Sequence, residues 1–412
     1  MASTRTRWVY ILLVLLTCLV HANSLPKNHS KVSKRQSRQF PNFIETTAKN
    51  GYSTEQYSVV TQDGYILKIF RIAQSKNCHQ RKFLPPVLMM HGLLESSDSW
   101  TDAGVNAGLA YLLSDACFDS WLGNFRGNYY SRRHKTLDPN KDKPFWKFSA
   151  DEMGLYDVPA LVDYVLNKTG VEKLNYIGYS QGAGTFFAMC SDRPGHCEKI
   201  NLMIGLAPAT RHLHTRSLGF RVASMAFTVL EKTLRSVGIE EVLQKGSLVQ
   251  TILAAFCQWN SISEVFCDVG TAFLDFYHPG SMTNETLARA TRNLPAGTSV
   301  QNLAKYGQSM VSTDFQKFDY GRETNLKVYG QERPPKYKLG AVTPPVVVIY
   351  GKNDGLVDVK DVKWLIGKLP NVIDVLEVKD PLWNHLDNHY SKLSKNLIFP
   401  KIHEQLLAHS YY

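Results

Sequence analysis

Residues 178–182 read Gly-Tyr-Ser-Gln-Gly, and what flanks them narrows the possible folds more than any other feature of the chain. The run Lys173 to Ile177 is strand-like, and Ala183 to Cys190 is compatible with a helix. A G-x-S-x-G pentapeptide between strand and helix demands a sharp turn. Gly178 and Gly182 relieve crowding around such a turn, and the serine between them can hold a strained conformation with its hydroxyl presented for chemistry. Ser180 is therefore the expected nucleophile.

The rest of the chain supplies a sheet to carry that turn. Short apolar runs alternate with longer helical patterns, the order of a mostly parallel sheet covered by helices. Strands are expected near 57–61, 65–71, 85–91, 118–123, 173–179, 200–206, 344–350 and 373–378. Ser149 and Glu152 form a capping-box pattern that predicts a helix running to about Asn167. Alternation stops near Pro208 and resumes at Pro344, a gap far longer than a plain crossover needs. Amphipathic patterns within it, over Phe220 to Leu243 and Leu248 to Trp259, predict a helical cap above the C-terminal edge of the sheet, where open α/β folds bind ligands. The expected organisation is a signal peptide over 1–22, a basic polar segment over 23–39, a first core part over 40–207, a cap or lid insertion over 208–342 and a second core part over 343–412.

A serine hydroxyl needs a base, and the base needs an orienting acid; in this kind of fold they follow in the order serine, acid, histidine. Asp354 stands just after the buried-type run Val346 to Tyr350, at a strand's C-terminal end, and is the expected acid. Asp358 is the alternative, unless it caps the helix predicted from Val359. Of His385, His389, His403 and His409, His385 follows the last strand by the shortest loop and is the expected base. His389 reads as a surface residue. His385 and His389 are four apart, but the Glu of H-E-x-x-H is missing and no third ligand is evident, so no metal site is expected. The tetrahedral intermediate needs two backbone donors. Gln181 follows the nucleophile, and Leu93 lies in the loop after the third strand, where Gly92 allows the turn and His91 reads as a loop-organising hydrogen-bonding residue.

A formal charge of +11 is of the size that polyanion-binding proteins carry, but seven of those charges come from residues 1–38, which hold no acidic residue. The remaining +4 is ordinary for a solvated surface, and no nucleic-acid partner is expected. Arg5 and Arg7, an apolar run from Trp8 to Val20, and Val20-His21-Ala22 form the pattern of a secretory signal peptide. No later run is long enough for a transmembrane helix. Lys34-Arg35 is a candidate propeptide processing site. Asn28, Asn167 and Asn284 stand in N-glycosylation sequons, and six cysteines remain after Cys18 leaves with the signal. There is no dinucleotide-binding glycine motif and no phosphate-binding loop, and the expected chemistry needs no cofactor.

Taken together, HGLLESSDSW (91–100), GNFRGNYYSRRH (123–134), FWKFSADEMGLYDVPA (145–160), GYSQG (178–182), SVQNLAKYGQ (299–308), YGKNDGLV (350–357) and WNHLDNHY (383–390) resemble the acid lipases, the family of gastric and lysosomal acid lipases and their secreted insect relatives. The likeness extends over roughly residues 40–405. It implies an α/β-hydrolase fold with a mostly parallel eight-stranded sheet, helices on both faces and a helical cap or lid. It also implies Ser180, Asp354 and His385 as a triad, and hydrolysis of triacylglycerols or steryl esters at a lipid–water interface. Cys257 and Cys267 resemble the family's cap disulfide. Two features depart from the pattern: Asn388 stands where the family usually has an aromatic residue, and the polar residues 27–38 have no clear counterpart. The expected protein is a secreted lipase acting on neutral lipid esters through an acyl-enzyme, with the lysosome as the alternative destination. A secreted carboxylesterase for short or medium chains is the alternative activity, and a catalytically silent lipid-binding protein on the same scaffold is a third reading.

Overall fold

The strands at the centre of the sheet are apolar at nearly every position because both of their faces are covered. In a computed structural model, residues 42–75, 77–78, 84–247, 250 and 275–410 are described. Among them are ten strands, β1 (Tyr52–Val60), β2 (Ile66–Ser75), β3 (Leu84–Met90), β4 (Phe118–Gly123), β5 (Leu174–Tyr179), β6 (Ile200–Leu206), β7 (Glu241–Val242), β8 (Thr298–Ser299), β9 (Val346–Tyr350) and β10 (Val372–Glu377). Successive residues go to opposite faces. Leu88, Met90, Tyr176, Val346 and Val348 join one buried cluster, while Val87, Met89, Ile177, Val347 and Ile349 join the other.

Eight strands form one sheet in the order β1-β2-β4-β3-β5-β6-β9-β10, and β7 and β8 pair separately. Both pairings of β2 are antiparallel, and the others in the large sheet are parallel. All eight expected strands are present. The first begins five residues earlier than read, at Tyr52, because β1 and β2 form a hairpin whose register extends to Tyr52–Ser75. From β3 the chain goes to β4 on one side, then to β5 on the other. That reversal opens a crevice at the C-terminal ends of β3 and β5, where ligands of such sheets bind.

The capping box at Ser149 forms as read: the Ser149 amide donates to Glu152 Oε2 at 2.7 Å. The helix it opens passes through a wider π turn at Met153–Asp157 before Val158–Thr169, and Gly170 ends it with φ 72°. Pro159 has no amide to give to an i−4 carbonyl, which accounts for the irregular winding there. The wide turn sets Asp157 against Arg126. The Arg126 guanidinium is buried, with Nε 2.8 Å from Asp157 and Nη1 2.6 Å from Asp63. This charge cluster accounts for much of the conspicuous 123–134 and 145–160 stretches.

Between β6 and β9 lie helices Leu218–Ser236, Asn284–Asn293, Val300–Ser309 and Arg322–Tyr329. The helix expected to reach Leu243 stops at Ser236, because Gly238 takes φ 84° and the chain turns into β7. The pattern at 248–259 lies outside the described residues apart from Gln250, as do the signal-peptide and basic segments, Lys34-Arg35, Asn28, Cys257 and Cys267. Two disulfides that spacing did not reveal, Cys78–Cys117 and Cys190–Cys197, join β2 to the start of β4 and the helix Gln181–Asp192 to the turn after it. Asn167 and Asn284 are both exposed on helices. Among the described residues, no helix is long and apolar enough to cross a membrane.

Candidate active site

Ser180 ends β5 and begins the helix Gln181–Asp192 with φ 50° and ψ −112°, a conformation rare for a residue bearing a Cβ. Its neighbours hold it there. The Ser180 amide donates to Leu206 O at 2.9 Å, and the amides of Ala183, Gly184 and Ala209 each donate to Ser180 O at 3.1 Å. The flanking glycines are sterically required. A Cβ on Gly178 would lie 2.6 Å from the Ala183 amide, and one on Gly182 would be driven into the Met90 carbonyl. Gly182→Ala is therefore expected to destabilise the chain by about 1–3 kcal/mol through overpacking, measurable as a lower midpoint in thermal or denaturant unfolding; an unchanged midpoint would show that β3 yields freely.

The fold brings Asp354 and His385, the expected acid and base, side by side. His385 Nδ1 lies 2.7 Å from Asp354 Oδ2, with both side chains buried. Asp354 Oδ1 accepts the amides of Leu356 at 2.9 Å and Val357 at 2.7 Å, which ties the carboxylate to its own loop. Burial alone would lower the imidazole's pKa. The charge and hydrogen bond of Asp354 outweigh burial and, with Asp275 and Glu95, raise it above the ordinary histidine value. The imidazole rests against the residue before the serine: the Tyr179 ring is 5.0 Å from it, and the Tyr179 hydroxyl donates to His385 O at 3.1 Å. Asp358 instead caps the helix Val359–Ile366 and pairs with Arg216 at 2.7 Å. His403 and His409 belong to the last helix and its end.

The two expected oxyanion donors lie at the ends of β5 and β3. Gln181 is the first residue of its helix, so its amide has no intrahelical acceptor. Its side-chain oxygen accepts Asn302 Nδ2 at 2.9 Å and the Tyr306 hydroxyl at 3.0 Å, both from the helix Val300–Ser309. That contact gives the 299–308 stretch its role at the site. Leu93 is half-buried and packs on the cluster of Leu234, Val242, Val300 and Leu303. His91 donates from Nδ1 to Gly92 O at 2.9 Å and accepts the Phe125 amide at Nε2 at 3.2 Å. Burial lowers its pKa to about 4, so it serves this loop as a neutral imidazole.

His389 is not at the surface. It is buried between Tyr179 and Trp100, at centroid distances of 3.9 and 4.1 Å, with Nδ1 3.0 Å from Glu95 Oε2. It lies in the short helix Asp387–Tyr390, after the loop of His385, and the acidic partner that offsets its burial is nearly three hundred residues away in sequence. Glu95 also accepts the Gly92 amide at 2.9 Å and the Tyr390 hydroxyl at 2.8 Å, so one carboxylate joins the loop of Leu93 to the segment after His385. Burial acts to raise the Glu95 pKa, but His389 and the Gly92 amide hold it below the usual carboxylate range. Asn388, the departure from the family pattern, donates to His385 O at 3.0 Å and so ties the histidine loop by hydrogen bonding. Among the described residues, no group of three or more His, Cys, Asp or Glu side chains forms a metal site.

Comparison with known proteins agrees with this architecture. The family described as alpha/beta hydrolase fold matches residues 85–391, and a partial alpha/beta-hydrolase lipase region matches residues 43–104. The gastric triacylglycerol lipase of Homo sapiens is 35% identical over 342 residues, covering 82% of this chain and 83% of that one. The lysosomal acid lipase/cholesteryl ester hydrolase of Macaca fascicularis is 35% identical over 353 residues, covering 84% and 86%. In fold, a soluble variant of monoglyceride lipase from Saccharomyces cerevisiae superposes with a TM-score of 0.52 at 16% identity, covering 86% of this chain and 97% of that one.

Proposed function

Because the chain belongs to the acid lipase family of α/β-hydrolases, a family of serine ester hydrolases, we propose that it hydrolyses neutral lipid esters through Ser180, His385 and Asp354. The observation that carries this reading is the strained Ser180 at the head of its helix, with a buried His385–Asp354 pair against the adjoining Tyr179.

In this mechanism Asp354 holds the His385 proton on Nδ1, which leaves Nε2 to take the Ser180 proton as Oγ attacks the ester carbonyl. The carbonyl oxygen becomes an oxyanion and receives the amides of Gln181 and Leu93. The imidazolium then protonates the departing alcohol, and the acyl group stays on Ser180. Water, deprotonated by the same imidazole, releases the fatty acid and restores the serine. The substrate class comes from the relatives: one acts on triacylglycerols and another on cholesteryl esters. The segment between β6 and β9 is the cap over this site, supported by the contacts of its helix Val300–Ser309 with Gln181 and of its apolar cluster with Leu93. Secretion, with the lysosome as the other destination, fits the signal-like first 22 residues and two described disulfides.

The reading is tested by incubating the purified chain with emulsified triolein, cholesteryl oleate and a soluble butyrate ester, beside Ser180→Ala. Serine-dependent release of oleic acid is the expected result. Release of butyrate alone would replace the lipase reading with a carboxylesterase, and no serine-dependent hydrolysis of any of the three would leave a lipid-binding role.

A further inference from the structure

Asp275 belongs to the segment between β6 and β9, far from Asp354 and His385 in sequence, yet its side chain lies between their two loops. It is 1% exposed. Oδ1 accepts the Gly355 amide at 2.9 Å and the Phe276 amide at 2.8 Å, and Oδ2 accepts the Leu386 amide at 3.1 Å. Gly355 follows Asp354, and Leu386 follows His385. The three amides of Gly355, Leu356 and Val357 are thus divided between two carboxylates: the first goes to Asp275 and the other two to Asp354.

We infer that Asp275 is a positioning residue, a second carboxylate that locks the acid loop against the histidine loop and whose charge favours the imidazolium formed when Ser180 gives up its proton. This rests on the assignment of Ser180, His385 and Asp354 proposed above. The charged surroundings are consistent with such a role. The acid loop contributes Asp354 and Asp358, the histidine loop His385 and Asp387, and the loop after β3 Glu95. The segment after β6 contributes His212 and Arg216; Arg216 pairs with Asp358 and lies over the Phe276 ring at 4.7 Å. From Asp275's own segment, His278 pairs with Asp387 at 2.7 Å. Asp275 itself bonds only backbone amides among the hydrogen bonds described, so its charge acts on the nearby pair and is not consumed in a salt bridge. Burial, then the charge of Asp354, push its carboxyl up to about 7, while His385 pulls the other way. The same coupling contributes to the raised pKa of His385.

The sign of the effect follows. A negative Asp275 stabilises the protonated imidazole, so neutralising it lowers the pH at which His385 becomes a free base. A backbone clip alone would slow the reaction without moving that pH.

The test uses the full chain as wild type, Asp275→Asn, Asp275→Glu and Ser180→Ala. A p-nitrophenyl alkylphosphonate labels the serine and releases one nitrophenolate per active site, so its amplitude counts folded enzyme and its rate reports on the serine–histidine pair. For Asp275→Asn the acid inflection of the labelling rate is expected to move down by roughly one pH unit, and the plateau rate to fall about tenfold. Asp275→Glu should keep the inflection near that of wild type while losing rate. Coincident inflections in wild type and Asp275→Asn overturn the inference and leave the nucleophile assignment intact, whereas equal labelling of Ser180→Ala overturns the assignment itself. A second measurement needs no substitution. The downfield Nδ1 proton resonance of His385 in the wild-type enzyme should titrate in two steps, its own and that of Asp275, and a single step overturns the inference even if the variants do not fold.

Discussion

Ser180→Ala is expected to lower kcat for ester hydrolysis by roughly 10⁵–10⁶-fold, the scale seen when a triad nucleophile is removed, while the fold survives. Among the described residues, no other hydroxyl-bearing residue takes a positive φ. Ser180 alone joins β5 to a helix at φ 50°, with its own carbonyl clamped by three amides. Those clamps are backbone bonds and do not need the Oγ atom, so the variant should melt close to the wild type. What remains after truncation is the stabilisation offered by the two proposed oxyanion donors, which lowers the barrier for water attack but supplies no acyl-enzyme route. Initial rates on a soluble butyrate ester, corrected for a mock preparation, are sufficient to check this. A variant that keeps a sizeable fraction of the rate would place the nucleophile elsewhere.

Asp354→Asn should cost about 10⁴-fold in kcat, and the structure gives the reason. Asp354 Oδ1 accepts two backbone amides, and Oδ2 accepts the imidazole Nδ1–H. An asparagine must keep its single oxygen on those two amides, because turning its NH₂ toward them would set donor against donor. Its NH₂ then faces Nδ1, which becomes an acceptor, and the proton moves to Nε2. An imidazole in that tautomer cannot take the serine proton. Stability should change little, since both loop hydrogen bonds persist, so a folded but slow enzyme is the expected result. Comparison of kcat with the thermal midpoint distinguishes this from simple unfolding: a rate near wild type would remove Asp354 from the mechanism.

What could be read from the chain was largely what is decided locally. The turn at Ser180 is encoded within five residues and their immediate flanks, and the buried strands are visible because both faces of a central strand must be apolar. Capping is equally local, as Ser149 and Glu152 illustrate. The unread features depend on partners distant in sequence. His389 looks like a surface histidine until Glu95 is brought beside it, and nothing around Glu95 announces a buried carboxylate. Asp275 falls in an unremarkable stretch between aromatic residues, and its importance arises only when Gly355 and Leu386 point their amides at it. The pairings of Cys78 with Cys117 and Cys190 with Cys197 likewise reflect strand and helix placement that spacing does not encode. The helix read to Leu243 ended early because a glycine at positive φ overrode an apolar pattern that continued past it.

The strap of residues 209–217 bears on how such enzymes diversify. It is where the chain leaves the sheet, and most of its residues are anchored to the core. Ala209 holds the Ser180 carbonyl, Arg211 and His214 bond Asp361, Thr215 bonds Leu356 O, and the Arg216 side chain and Ser217 amide reach the carbonyls of Asp354 and Gly355. A graft that exchanges the whole insertion at Pro208 would therefore carry away part of the support for both the serine and the acid. Splice points placed after Ser217 spare it. Evolution and protein engineers face the same boundary: the strap must travel with the hydrolytic core, and whatever replaces the region beyond it must still supply the Asp275 carboxylate and the Asn302 and Tyr306 donors to Gln181.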